Sequence, residues 1–251
     1  KLDHDKDGGR TDWGMWVHTF NELVPPDVYY KDHPEYYSQV KGKRIPTQLC
    51  LTNTDVLNVT VQNLRRKIAQ NPTALYWSVS QNDNRDFCTC EKCKAIDDRE
   101  GSPSGSIISF VNQVADQFRD KMISTLAYEY GRLAPKTLRP RSNVNIMLCT
   151  IEAYRDKPIA EDPKSLDFVK DVEDWGKISS DIIIWDYVIQ FDNLISPFPN
   201  LHVLKTNIQF FAKHGVNAMF EQGNREVGGE FAELRAYLIS KLLWNPEANV
   251  D

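Results

Sequence analysis

Four apolar runs, 74–83, 143–152, 182–187 and 216–223, each finish on a carboxylate flanked by amide or aromatic groups: Asp83, Glu152, Asp186 and Glu221. Each run is too short for a buried helix and reads as a buried strand whose last residues leave the core for a cleft. Further strands are expected over 13–20, ending near His18, over 47–53, ending at Asn53, and over 123–130, holding Tyr128. Helical spacing of apolar residues separates them. Val56, Leu57, Val61, Leu64 and Ile68 mark a helix capped by Asn53 or Thr54, and further helices are expected over 106–121, 166–175, 201–213 and 230–243. The charged stretch 3–12 reads as a loop, and the Pro- and Tyr-rich stretch 25–37 as a long loop that walls or covers a site.

Strand, helix, strand, helix implies a parallel sheet, and acids on the strand tips point to one catalytic face. The expected fold is therefore α/β, a (β/α)8 TIM-type barrel formed as one catalytic domain over 1–251. The tips at His18, Asn53, Asp83, Tyr128, Glu152, Asp186 and Glu221 make one strand fewer than such a barrel needs, so the first strand is expected upstream of Lys1. The opening Lys1-Leu2-Asp3-His4-Asp5, without an initiator Met or signal peptide, reads as a cut from a longer chain.

Charge narrows the function. A net charge of -5 with 30 scattered Lys and Arg gives no footprint for nucleic acid, and no apolar run approaches the roughly 20 residues that span a bilayer. Cleavage of a glycosidic bond, by contrast, needs one carboxyl group to protonate the leaving oxygen and a second group to attack or to orient the attack. Strand alternation puts Leu148, Thr150 and Glu152 on one face, turning Glu152 toward the barrel mouth. Asp186 shares a face with Ile182 and Ile184, while Trp185 and Tyr187 point the other way. The bland alternative for any one of these acids is a helix cap or an ion pair with Arg. Around them, Trp77, Tyr128, Tyr130, Trp185 and Tyr187 offer ring faces to sugar C-H surfaces, and Gln81, Asn82, Gln222 and Asn224 offer amides to hydroxyls or an acetamido group. His18 and Asn53 join them as strand-end polar groups. Core packing is the competing role for the aromatic residues.

Cysteine use adds a second constellation. Cys88, Cys90 and Cys93 include a Cys-x-x-Cys pair with the spacing of a zinc knuckle, and a fourth ligand would have to come from Cys50, Cys149, His202 or His214. A structural zinc competes here with a local disulfide and with packed thiols. The dispersed histidines do not form the short-spaced set of a catalytic zinc.

Taken together, Trp16-Val17-His18-Thr19-Phe20, Gln48-Leu49-Cys50-Leu51-Thr52-Asn53, Ser78-Val79-Ser80-Gln81-Asn82-Asp83, the Cys88/Cys90/Cys93 loop, Gly101-Ser102-Pro103-Ser104-Gly105-Ser106, Trp185-Asp186-Tyr187, Pro197-Phe198-Pro199-Asn200 and Phe220-Glu221-Gln222-Gly223 resemble glycoside hydrolase family 163. The resemblance runs from Trp13 to the C-terminal residue and implies a barrel hydrolase of the endo-β-N-acetylglucosaminidase type. It further implies cleavage within the chitobiose core of complex N-glycans, a glycan or glycoprotein partner, flanking domains in the same chain, and a secreted, periplasmic or cell-surface bacterial location. No cofactor is expected for catalysis. On strand-tip position Glu152 is expected as the acid, with Asp186 or Glu221 orienting an acetamide that itself attacks, and Asn82-Asp83 as the competing pair. Two other readings stand beside it: a non-catalytic carbohydrate-binding barrel and a zinc-dependent deacetylase.

Overall fold

The computed structural model describes residues 12–223 and 228–250, so the stretch 3–12 lies almost wholly outside the described residues, and Asn224 does too. The chain divides into two compact units, Lys1–Asn145 and Ile146–Asp251.

The first unit opens with β1 (Trp13–Met15), the short helices α1 (Phe20–Leu23) and α2 (Pro26–Tyr29), and the hairpin β2 (Tyr37–Val40) and β3 (Lys43–Leu49). Then come α3 (Thr54–Gln70), β4 (Tyr76–Ser78), α4 (Glu91–Glu100), α5 (Ser104–Ala115) and β5 (Met122–Ala127). β1, β4 and β5 lie side by side in that order and run parallel. β1 passes over the Trp77 ring of β4: a Cβ on Gly14 would sit 2.3 Å from that buried ring, so only glycine fits there.

The expected strand over 47–53 is a correction. Its first residues belong to β3, which pairs antiparallel with β2 in a separate two-stranded sheet. The reason is local: Lys41 and Gly42 both take positive φ, the two-residue turn whose twist matches a hairpin. The stretch 25–37 likewise carries α2 and leads into β2 rather than forming one long loop. Asn53 caps α3, its Oδ1 accepting from the backbone N–H groups of Asp55 at 2.8 Å and Val56 at 3.4 Å.

Glu100, the last residue of α4, is buried yet charged. Burial pushes its carboxyl toward neutrality, but bonds from Thr137 Oγ1, the Thr137 and Leu138 N–H groups and Arg99 hold it down at about 2. A carboxylate depressed below its ordinary 4.5 contributes stability that is complete above that pH and disappears as pH falls toward 2. Glu100→Gln is expected to flatten this acid limb in melting temperature against pH. An unchanged limb would remove Glu100 from the account.

The second unit holds β6 (Val144–Cys149), whose first two residues close the first unit, then α6 (Leu166–Gly176), β7 (Ile182–Tyr187), α7 (Leu204–Lys213), β8 (Ala218–Gln222) and α8 (Ala232–Trp244). β6, β7 and β8 are parallel neighbours in that order, each reached through helix, as the alternation predicts. Val188, just past β7, packs with Leu204 and Ile208 of α7 and Ile239 and Leu242 of α8, and Met219 of β8 leans on the same cluster. Parallel strands interleaved with helices make this an α/β fold. No helix among the described residues is long and apolar enough to cross a membrane.

Several strands end earlier than the apolar runs suggest. β4 stops at Ser78, so Asp83 stands in a loop five residues on. β6 stops at Cys149, and Ala153 N–H bonds back to Thr150 O at 2.9 Å, so Glu152 sits in a tight turn and strand alternation no longer fixes its direction.

Candidate active site

In the second unit, strand register sets the site. Asp186 pairs with Glu221, Trp185 with Phe220 and Tyr187 with Gln222 across β7 and β8. Cys149 pairs with Trp185, so the next residue, Thr150, comes level with Asp186, and its Oγ1 donates to Asp186 Oδ1 at 2.6 Å. Thr150, Asp186 and Glu221 thus form a row across three neighbouring strands at their carboxyl edge. By alternation the two acids share the face of Ile184 and Met219, the side covered by α7 and α8.

The opposite face carries aromatic and amide groups. Trp185 and Tyr187 stack with ring centroids 5.9 Å apart, Phe220 meets Trp185 edge-on at 4.9 Å, and Trp185 Nε1 donates to Gln222 Oε1 at 2.7 Å. Tyr187 also meets the half-exposed Phe191 at 5.7 Å. These rings are only partly covered and form a platform.

Burial dominates the electrostatics of the pair. It raises the Asp186 carboxyl above its ordinary value, against the pull of the Thr150 hydroxyl, Arg155 and the Tyr187 N–H. It raises Glu221 further, and the neighbouring Asp186 charge adds to that. Both Glu221 carboxyl oxygens are buried and accept no hydrogen bond from the described residues. Two adjacent buried carboxyls cannot both ionise cheaply, so the pair retains a proton at pH values where an ordinary Glu has lost it.

Arg155 braces the row. Its Nη1 donates to Ala153 O at 2.6 Å, its Nη2 to Thr150 O at 2.6 Å and to Thr150 Oγ1 at 3.2 Å, and its guanidinium lies 5.7 Å over the Tyr187 ring. Glu152 adds its charge to the surroundings of Arg155, together with Asp186. The sequence reading missed Arg155 altogether. It stands in the turn after β6 with no periodicity to mark it, and only the Thr150 parity argument came near it.

In the first unit the other candidates gather at the carboxyl ends of β1, β4 and β5. Tyr128 donates its hydroxyl to Asp83 Oδ1 at 3.1 Å. His18 Nδ1 donates to Gln81 O at 2.8 Å, which leaves Nε2 as the acceptor nitrogen, and the His18 ring lies 6.0 Å from that of Tyr128. His18 and Glu129 both take positive φ, at 59° and 51°, and Glu129 pairs with Arg85. Such conformations cost energy and cluster where geometry is functional. Asn82 is committed to the framework: its Nδ2 donates to Thr47 O at 2.7 Å, its Oδ1 accepts from Asn21 N–H and its N–H donates to Gln48 Oε1 at 3.1 Å. Gln81 Nε2 bonds to Leu126 O and Tyr128 O, and Asn53 is spent on its cap.

Cys50 is the thiol that joins Cys88, Cys90 and Cys93, and all four Sγ atoms lie within 4.8 Å of one another. The other proposed fourth ligands are elsewhere. Cys149 is buried in β6, with its thiol pushed up by that burial, while His202 and His214 bond to Asp156 O and Phe210 O in the second unit.

Against known proteins, a family model described as a domain of unknown function, DUF4838, matches residues 1–251. No curated protein matches the sequence. Among solved structures, the chain is similar to a GH138 enzyme targeting pectin rhamnogalacturonan II, at 10% identity and a TM-score of 0.32. The match covers 86% of this chain and 32% of that one, so the chain spans about a third of that protein's length. With a family model matched from its first residue to its last, the chain belongs to the DUF4838 family.

Proposed function

We propose that this chain carries the acids of a glycoside hydrolase that cleaves β-linked N-acetylglucosamine within complex N-glycans, with retention of configuration and participation of the substrate acetamide. The observation that carries the reading is the register pair Asp186 and Glu221, two buried carboxyls at adjacent strand tips, where burial raises both above their ordinary values and the Asp186 charge raises Glu221 further. A general acid must be protonated at the working pH, which is what burial beside a second carboxyl achieves. Glu221 takes this role in preference to Glu152, which lies in a turn past its strand and outside the register row. Asp186, held by the Thr150 hydroxyl and near Arg155, is the group that polarises the acetamide. On the opposite face of the same two strands the Trp185, Tyr187 and Phe220 rings with Gln222 supply a stacking surface and an amide for a sugar, which reaches Glu221 only around the carboxyl ends of β7 and β8. The motif resemblance adds the substrate class, and that class in turn implies a location outside the bacterial cytoplasm.

A second reading has its own observation. Asp186 and Glu221 share the face packed by α7 and α8, as they would in a carbohydrate-binding barrel that keeps the platform and uses the acids inside its framework. One experiment separates the two. A complex-type glycoprotein incubated with the full-length protein is expected to lose its glycan and keep a single N-acetylglucosamine on asparagine, read by mass spectrometry. Binding of the glycoprotein with no change in its mass would overturn the hydrolase and favour the binder.

A further inference from the structure

We propose that Cys50, Cys88, Cys90 and Cys93 bind one zinc ion as a closed four-thiolate structural site that clamps the β2–β3 hairpin to the loop carrying Asp83. The donor set comes from two places in the chain, the end of the β2–β3 hairpin and the stretch 88–93. Cys50 directly follows β3, Cys88 stands in the loop between β4 and α4, Cys90 caps α4 and Cys93 lies in its first turn. A shared ligand, disulfides or apolar packing can bring four thiols so close, and here their mutual spacing is that of ligands. A zinc bound tetrahedrally at about 2.3 Å requires sulfurs about 3.8 Å apart. Cys50 Sγ and Cys90 Sγ are 3.7 Å apart, and no pair of the four exceeds 4.8 Å.

The surroundings suit thiolates. Gln39 N–H points at Cys88 Sγ from 3.4 Å, Arg44 Nη1 reaches the same sulfur at 3.7 Å, and the Thr52 hydroxyl lies 3.2 Å from Cys93 Sγ. Four thiolates around a divalent ion leave a net charge of about -2, which the Arg44 cation and the amino end of α4 offset. Cys50, Cys88 and Cys93 are nearly inaccessible, at 4%, 5% and 0% exposure, and only Cys90 at the amino end of α4 is half-buried. Four thiolates fill a tetrahedron, so this ion would fix structure and would not activate water. A deacetylase built on it therefore gains no support.

What it would fix is specific. Thr89 N–H and Oγ1 both bond to Gln39 O, at 2.8 and 2.7 Å, joining the cysteine loop to β2. One residue before the end of β3, Gln48 donates through Nε2 to the backbone oxygens of Asn82 at 2.7 Å and Asn84 at 3.3 Å, and to Asn84 Oδ1 at 3.0 Å. The metal would thus anchor one end of a strut whose other end sets the backbone on both sides of Asp83.

The test uses the full-length protein purified without chelator. Elemental analysis is expected to give one zinc per chain, released stoichiometrically by a mercurial thiol reagent. The denatured mass should match fully reduced cysteines, and the cobalt-substituted protein should show thiolate-to-cobalt charge transfer with a tetrahedral d–d band. Cys50→Ser is expected to lower bound zinc by roughly tenfold, while Cys149→Ser keeps it. Should Cys50→Ser fail to fold, the wild-type cobalt spectrum decides alone. A mass lower by two hydrogens for each disulfide, four free thiols with no metal, or iron in place of zinc would each overturn the proposal.

Discussion

Replacing Glu221 with Gln is expected to lower glycan release by about 100-fold or more while leaving glycan affinity nearly unchanged, the signature of a lost proton donor. The same substitution has a stability signature of opposite benefit. Glu221 is raised well above its ordinary 4.5 in the folded chain by burial and by Asp186. The folded state then binds its proton more tightly than the unfolded state, so wild-type stability should decline as pH rises above that ordinary value. Glu221→Gln removes this decline. From about pH 5 to about pH 8 its melting temperature should fall less than that of the wild type. In the wild type, activity should fade on the alkaline side as the proton is lost. Near-normal turnover in Glu221→Gln would return the acid role to Glu152 or Asp83.

Arg155→Met should be the most damaging change to the framework of the site. Methionine keeps much of the apolar stem but removes the guanidinium that serves Thr150 O and Ala153 O. It also takes away the positive neighbour that opposes the rise of the Asp186 carboxyl. Losing charged hydrogen bonds from this half-buried side chain is expected to cost about 3 kcal/mol. For a chain of this size that corresponds to a fall of roughly 6–12 °C in melting temperature. Thermal unfolding followed by circular dichroism checks it, and a shift of a degree or less would show that Thr150 holds the row unaided.

The parallel strands and the larger helices were legible because their signals are local and apolar. Val56 and Leu64 of α3, Phe110 and Val114 of α5, and Ile182 to Ile184 of β7 sit in the core where the spacing puts them. α4 was not legible. Its buried positions are Cys93, Asp97 and Glu100, and two of them are buried through hydrogen bonds, Asp97 with Ser106 N–H and Glu100 with Thr137 and Leu138. Apolar periodicity cannot register such a face. The strand tips were read too long because residues past β4 remain extended and pinned, Val79 by Ser124 and Ser80 by Thr19 and Phe20, without continuing the strand. Asn53 and Asn82 look alike in sequence whether they cap or bind, and their partners decide it. Spacing leaves Cys50 one of four candidate fourth ligands, because it is the hairpin turn at Lys41 and Gly42 that folds it back toward Cys90. The acid pair was legible in part: Asp186 and Glu221 were picked out singly, but their register and the brace of Arg155 are tertiary facts.

The pairing of Asp186 with Glu221 is set by the ladder between β7 and β8, so its spacing is inherited from the backbone, with α-carbons about 4.8 Å apart. A ladder behaves as a ruler that loops cannot stretch. Segments following the two strands can therefore be lengthened, shortened or exchanged, on the proposed hydrolase reading to admit a different branch of sugar, without moving the acids apart. A one-residue slip of β8 would do the reverse, bringing Phe220 or Gln222 level with Asp186 and abolishing the pair at a stroke. Selectivity and reactivity are in this sense separately adjustable. An engineer wishing to change what the site accepts should graft loops and leave the strands untouched.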